Sequence, residues 1–222
     1  MKMAPRKLFH QELEELRQDI LQMAEWIEDG YVCLFETLAK KDGETMRRFV
    51  RHDRVIGDMQ RNIESRCLSL LTRQTPVARD LRTVSAALKI VTDLERCGNH
   101  LSDMAEFFTR MGMPDLNEYS ETFGMMIEET KKLLKKAVDS FINRDPELGR
   151  EVVDGDDLID DCFNKIKDDL VLALKSGNKD ADGCVDALMV AKYLEKIGDH
   201  AVNIGQWEMF QDTGVIDEVR LL

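Results

Sequence analysis

The 222-residue chain is poor in the residues that punctuate β proteins: four prolines, thirteen glycines and 6% aromatics. So few turn formers and ring side chains argue against an all-β architecture. The five cysteines (Cys33, Cys67, Cys97, Cys162, Cys184) are scattered, odd in number and never in a CxxC pair. That excludes a zinc ribbon and a disulfide framework, and fits a reduced, cytoplasmic protein using thiols as small hydrophobes. No apolar run approaches the ~20 residues that span a bilayer, so no membrane insertion is expected. Met1 to Phe9 lacks the apolar stretch of a secretory signal. Positive charge is also short: 31 Lys and Arg against 43 Asp and Glu give a net charge of −12. A surface that acidic repels phosphate backbones and anionic lipid, which disfavours nucleic-acid partners.

What is present is helix-forming. Hydrophobic residues are 43% and charged residues 33% of the chain, enough for a core and too apolar for disorder. Pro5, Pro76, Pro114 and Pro146 fall where helical patterns break or begin. Between them the periodicity predicts six long helices: about Lys7–Lys40, from the Lys41-Asp42-Gly43 turn to Arg73, from Pro76 (with Thr75 as N-cap) to Met111, Glu118–Asn143, Pro146–Lys175 (with Asp145 as N-cap) and past Ser176-Gly177-Asn178 to Phe210. The last dozen residues read as a short helix or frayed tail. Helices near ~30 residues with short turns belong to bundles. The expected class is all-α, two tandem three-helix bundles, residues 1–113 and 114–222.

The halves are copies. At an offset of 100, Asp93-Leu94-Glu95-Arg96-Cys97-Gly98-Asn99-His100 lies on Tyr193-Leu194-Glu195-Lys196-Ile197-Gly198-Asp199-His200. At 103, Asp53, Ile56, Asp58 and Ile63 lie on Asp156, Ile159, Asp161 and Ile166. Internal repetition of this kind marks a duplicated bundle.

Within the repeat, four apolar stripes each carry one acid. They are Phe49-Asp53-Ile56-Ile63-Cys67-Leu70, Leu81-Val84-Leu88-Val91-Glu95-Gly98, Leu148-Val152-Asp156-Ile159-Phe163-Ile166-Leu170 and Cys184-Leu188-Ala191-Glu195-Gly198-Val202. A buried unpaired carboxylate costs several kcal/mol. Asp156/Asp160 and Glu195/Asp199 are i,i+4 pairs, each on one helix face. Facing helices would gather four carboxylates. Asp180, at the start of the sixth helix, is a candidate fifth, and Asp80 is its first-half counterpart. Like charges so close call for a cation. An all-oxygen set selects hard or borderline ions such as magnesium, manganese, calcium or iron. The alternative is an internal salt-bridge net with Arg79, Arg82, Arg96, Lys192 and Lys196. In the first half, Gly57 replaces the acid one turn after Asp53, and Asn99 replaces the counterpart of Asp199. That site should hold metal less tightly or differently. His100 and His200 either ligate directly or, as edge residues, donate to a carboxylate. Met125, Met126, Met189 and Met209 read as core filler, and Trp26 and Trp207 as core-edge packing. No Glu-x-x-His pair, Walker A loop, GxSxG elbow or strand-linked GxGxxG is present.

These motifs, with Gln74-Thr75-Pro76-Val77-Ala78-Arg79-Asp80-Leu81-Arg82 and Leu194 to Ile204, resemble the PhoU family of phosphate-signalling regulators over nearly the whole chain. The resemblance implies two three-helix bundles whose E(D)xxxD motifs hold multinuclear clusters of divalent or trivalent ions (iron, manganese, magnesium or zinc). Asp156/Asp160 and Glu195/Asp199 match the motif, and Asp53 and Glu95 match it in part. It implies a non-enzymatic, cytoplasmic homodimer, a negative regulator coupling the phosphate ABC transporter to its sensor histidine kinase. A multinuclear-metal hydrolase and a metal-free helical interaction protein are the rival readings.

Overall fold

The structure, a computed structural model, describes residues 5–49, 53–73, 78–177, 180–216 and 219–220. Gln74 to Pro76, with the expected Thr75 cap, lies outside them. Eight α-helices are described: α1 Pro5–Ala39, α2 Gly43–Phe49, α3 Asp53–Arg73, α4 Ala78–Arg110, α5 Thr122–Asn143, α6 Pro146–Val153, α7 Asp157–Ser176 and α8 Ala181–Thr213. A 3-10 turn, Leu116–Glu118, precedes α5. The chain is thus all-α, two tandem helical bundles, apart from one two-residue antiparallel ladder. In it Val215 pairs with Arg220 and Ile216 with Val219, where a helix or frayed tail was expected.

The caps follow the sequence closely. Asp145 accepts from the amides of Glu147 and Leu148 at 3.1 and 3.0 Å, ahead of Pro146 in the first turn of α6. The α1 turn closes through Lys41 at φ 54, and Asp42 caps α2 by accepting from Glu44 and Thr45. Gly177 ends α7 in the left-handed conformation that glycine adopts without strain.

One of the six expected helices is broken. Of the second, Gly43–Phe49 and Asp53–Arg73 are described, as α2 and α3. The fifth divides into α6 and α7 at Asp154-Gly155-Asp156. Gly155 permits the break, because a Cβ there would stand 3.0 Å from the Glu151 carbonyl and 3.1 Å from Leu133. Asp156 therefore sits at the N-cap of α7, with no side-chain capping bond, and not inside a continuous helix.

The core runs through both halves. The α1 seam is buried as its periodicity requires: Leu13, Leu16, Ile20, Met23, Ile27, Leu34 and Leu38. Tyr31, also on α1, is buried and donates its hydroxyl to the Ile127 carbonyl of α5 at 2.8 Å, linking the halves. The long helices α4 and α8 pack together along the middle, and α8 also packs on α5, α6 and α7. Four cysteines are buried, but Cys33 is exposed. Trp26 and Met125, expected in or at the edge of the core, are 40% and 56% exposed. Their helices turn those positions outward.

Helix approach is set by small residues. A Cβ on Gly205 of α8 would lie 2.8 Å from the Gly149 carbonyl, and one on Gly149 of α6 would lie 3.0 Å from the Gly205 carbonyl. Here backbone meets backbone, so no side chain can yield. Gly205→Ala should destabilise the protein by about 1–3 kcal/mol, which is about 2–12 °C in Tm for a chain of this size. Thermal melting followed by circular dichroism measures it; an unchanged or raised Tm would refute the close contact.

Candidate metal centre

Asp156 and Asp160 lie one turn apart at the start of α7, and Glu195 and Asp199 one turn apart in the middle of α8. The helices meet there through Gly198. A Cβ on it would stand 2.9 Å from Asp156 Oδ1 and 3.2 Å from Ile159. The glycine's missing side chain thus seats one helix's acid against the other helix. Glu195 is 9% exposed, Asp156 and Asp199 are half-buried and Asp160 is exposed. The cluster is a groove open to solvent at the Asp160 side.

Burial pushes the Asp156 carboxyl up to about 6, and the charges of Asp160, Asp199, Glu195 and Asp157 add to the shift. Asp160 is raised by burial and then by Glu195 and Asp199. The four acids therefore share one electrostatic field. The nearest compensation comes from the same helix. Lys192 Nζ lies 2.6 Å from Glu195 Oε1, Lys196 Nζ lies 3.4 Å from Glu195 Oε2, and Lys196 also pairs with Asp199. Two ammonium groups face four carboxylates. Same-helix pairs of this kind contribute about 0.3–0.5 kcal/mol each when exposed, against several kcal/mol for desolvating a carboxylate. Asp156 Oδ1 and Glu195 Oε2 remain buried and make no hydrogen bond, the Lys196 ammonium at 3.4 Å notwithstanding.

Those two oxygens are what a hard cation would take, and Asp156, Asp160, Glu195 and Asp199 are chemically fit to hold one. The side chains are not drawn into a coordination sphere: among the described residues no three or more His, Cys, Asp or Glu groups form a ready metal-holding set.

The first half differs as its sequence does. Asn99 Nδ2 donates to Glu95 Oε1 at 2.8 Å, satisfying the glutamate without a cation. Arg96 Nε lies 3.7 Å from the other oxygen. Asp199 stands where Asn99 offers its amide donor, and Gly57 stands where the second half has Asp160, so the second half gathers more negative charge. Ile56 fills the space beside Gly98, where a Cβ would come within 2.3 Å of its Cδ1. The Asp53 side chain lies outside the described residues.

Asp180 and Asp80 are not part of either cluster. Asp180 is the exposed N-cap of α8, accepting from Gly183 at 3.0 Å. It precedes Glu195 by fifteen residues, about 22 Å along the helix. Asp80 lies in the first turn of α4, equally far from Glu95. Asp180 serves as a cap, and Asp80 as an acid in a helix's first turn. Arg79 and Arg82 also face elsewhere, towards Asp212 and the Gln211 carbonyl.

The histidines meet across the repeat. His100 and His200 stack with centroids 5.5 Å apart. The ring Nδ1 of His200 lies 2.9 Å from Asp93 Oδ1 on α4, which also accepts from Asn203 at 3.1 Å. His200 is thus a partner of a carboxylate outside the cluster. The buried acids Asp93, Asp186 and Glu208 escaped the stripe argument. Asp186 is held by Arg110, whose Nε donates at 2.7 Å across the two halves.

A duplicated three-helix-bundle protein with an acidic groove in one copy is the class this geometry defines. The PhoU domain family matches residues 20–108 and 124–207. The chain belongs to the PhoU family. It is 31% identical over 210 residues to the phosphate-specific transport system accessory protein PhoU homolog of Clostridium acetobutylicum, covering 94% of this chain and 96% of that one. It is 29% identical to the Synechocystis sp. protein of the same description, covering 94% and 93%. The crystal structure of PhoU from Pseudomonas aeruginosa superposes with a TM-score of 0.84 at 26% identity, covering 93% of this chain and all of that one.

The raised Asp156 carboxyl has a consequence for the metal-free protein. The folded state holds that proton more tightly than the unfolded one. Its stabilising contribution is therefore present at low pH and lost as pH rises through about 6. Asp156→Asn should raise the Tm of chelator-treated protein at pH 7.5 and leave it nearly unchanged at pH 4. Differential scanning calorimetry at both values tests this; a drop at pH 7.5 would mean the carboxylate is favourably paired.

Proposed function

We propose that this protein is a metal-loaded, non-enzymatic regulator of phosphate uptake. It docks on the cytoplasmic side of a phosphate ABC transporter and restrains the partner sensor histidine kinase, most economically as a homodimer. One observation carries the metal reading: two buried carboxylate oxygens of the cluster, Asp156 Oδ1 and Glu195 Oε2, make no hydrogen bond, with Lys196 Nζ 3.4 Å from the second. The regulatory reading is supported by the names of its relatives, which are called accessory proteins of phosphate-specific transport systems. No helix among the described residues is long and apolar enough to cross a membrane, in keeping with an accessory role beside a membrane transporter.

Bound cations would supply the positive charge that Lys192 and Lys196 provide only in part. This chain's residues do the rest. Asp156 and Asp160 present oxygen from α7, Glu195 and Asp199 from α8, and Gly198 lets the helices close. Loading would tie α7 to α8 and release the lysines toward solvent. A metal-free interaction protein is the second reading, favoured by those same lysine pairs.

Elemental analysis of protein purified without an affinity tag separates the two. The wild type should carry about one or more equivalents of iron, manganese, magnesium or zinc. The Asp156→Ala/Glu195→Ala double variant should carry at least about tenfold less, with helical circular dichroism preserved. In cells, deleting the gene should derepress phosphate-starvation genes in rich medium, and the double variant should fail to restore repression. Metal-free wild-type protein that still represses would establish the second reading.

A further inference from the structure

A different cavity lies at the C-terminal end of α8, between the two halves. Its volume is about 170 Å³, below the roughly 300–1,000 Å³ of pockets that take drug-sized ligands. Glu208, on its wall, follows Glu195 by thirteen residues, about 20 Å along the helix. The cavity is therefore separate from the carboxylate groove.

The wall gathers positive charge from distant parts of the chain: Arg17 on α1, Arg79 in the first turn of α4, and Arg144 at the left-handed cap of α5. Arg79 is engaged by Asp212 at 3.2 Å. Arg17 is different. It is 5% exposed, and its Nε is buried without a hydrogen-bond partner. An unpaired guanidinium donor out of water is costly, because arginine stays charged. Burial and the like charge of Arg144 act against it, ahead of the attraction of Glu208. Glu208 itself is 3% exposed and accepts from Gln211. Burial pushes its carboxyl up to about 8, so at neutral pH it is mostly protonated and can donate a hydrogen bond.

We propose that this cavity binds one small tetrahedral oxyanion, of the inorganic phosphate or sulfate class, between the guanidinium groups of Arg17 and Arg144. Planar guanidinium donors match such oxygens in charge and geometry. The anion would join α1 of the first half to the α5 cap of the second. The volume favours a free anion over one carried on a larger molecule.

Isothermal titration calorimetry on the full-length, chelator-treated protein tests this with inorganic phosphate, sulfate and glycerol phosphate at constant ionic strength. Phosphate should bind with about one equivalent per chain, sulfate should compete, and glycerol phosphate should bind more weakly. Arg17→Met should lower the phosphate affinity at least tenfold. Arg144→Gly, which suits the positive φ of that position, should lower it severalfold without loss of fold; it serves if the first variant does not fold. Sulfate keeps its charge between pH 7.5 and 9, so it reports on Glu208 beside Arg17, Arg144, Asp145 and Asp212, with His10 and Asp80 on the same wall. Its affinity should fall at pH 9, and Glu208→Gln should remove the fall. No saturable heat up to about 10 mM phosphate, enough to reveal a ~1 mM Kd, would overturn the proposal. So would affinity unchanged in both arginine variants, loss of binding only in Asp156→Ala/Glu195→Ala, or glycerol phosphate binding where phosphate does not.

Discussion

Two buried carboxylate oxygens that make no hydrogen bond, Asp156 Oδ1 and Glu195 Oε2, the latter 3.4 Å from Lys196 Nζ, are the constraint around which the second half is organised. Burial alone would make such groups give up their charge, as the Asp156 carboxyl does in part. The protein surrounds them instead with more acid, and with only two lysines from one helix. A salt-bridge net built for stability would bring guanidinium groups from neighbouring helices, as Arg110 does for Asp186. The groove is built the other way: charge of one sign converges, and the facing glycine removes the atom that would keep the helices apart.

The duplication makes this legible by providing its own control. Gly98 and Gly198 occupy equivalent places, with Ile56 and Ile159 against them. Glu95 and Glu195 occupy equivalent positions on α4 and α8. Two exchanges, Gly57 for Asp160 and Asn99 for Asp199, remove acid from the first site, where Asn99 closes on Glu95 as an amide–carboxylate contact. The halves then join along α4 and α8, where the stacked His100 and His200 and the buried Asp93 lie. That seam holds polar groups satisfied mainly by the other half: Asp93 by His200 and Asn203, Asp186 by Arg110.

Periodicity disclosed the helices and the α1 seam, buried on one apolar face, and residue spacing paired Asp156 with Asp160 and Glu195 with Asp199. It did not reach residues on a helix that is packed on several sides. Central α8 is packed by four other helices, so Glu208 and Asp186 are buried at phases that a heptad assigns to solvent. Helical periodicity ran through the break of the fifth helix at Asp154-Gly155, where a Cβ would meet both the Glu151 carbonyl and Leu133 of another element. Asp180 and Asp80 shared the repeat but not the groove. An offset between copies records ancestry along the chain, whereas distance along a helix decides which side chains meet.

The most direct measurement is X-ray anomalous diffraction from crystals of protein saturated with manganese or iron. The account predicts anomalous peaks between α7 and α8, with oxygen of Asp156 and Glu195 as ligands and the Lys192 and Lys196 ammonium groups displaced. Peaks absent from that groove at saturation, with both lysines still seated on Glu195, would contradict it.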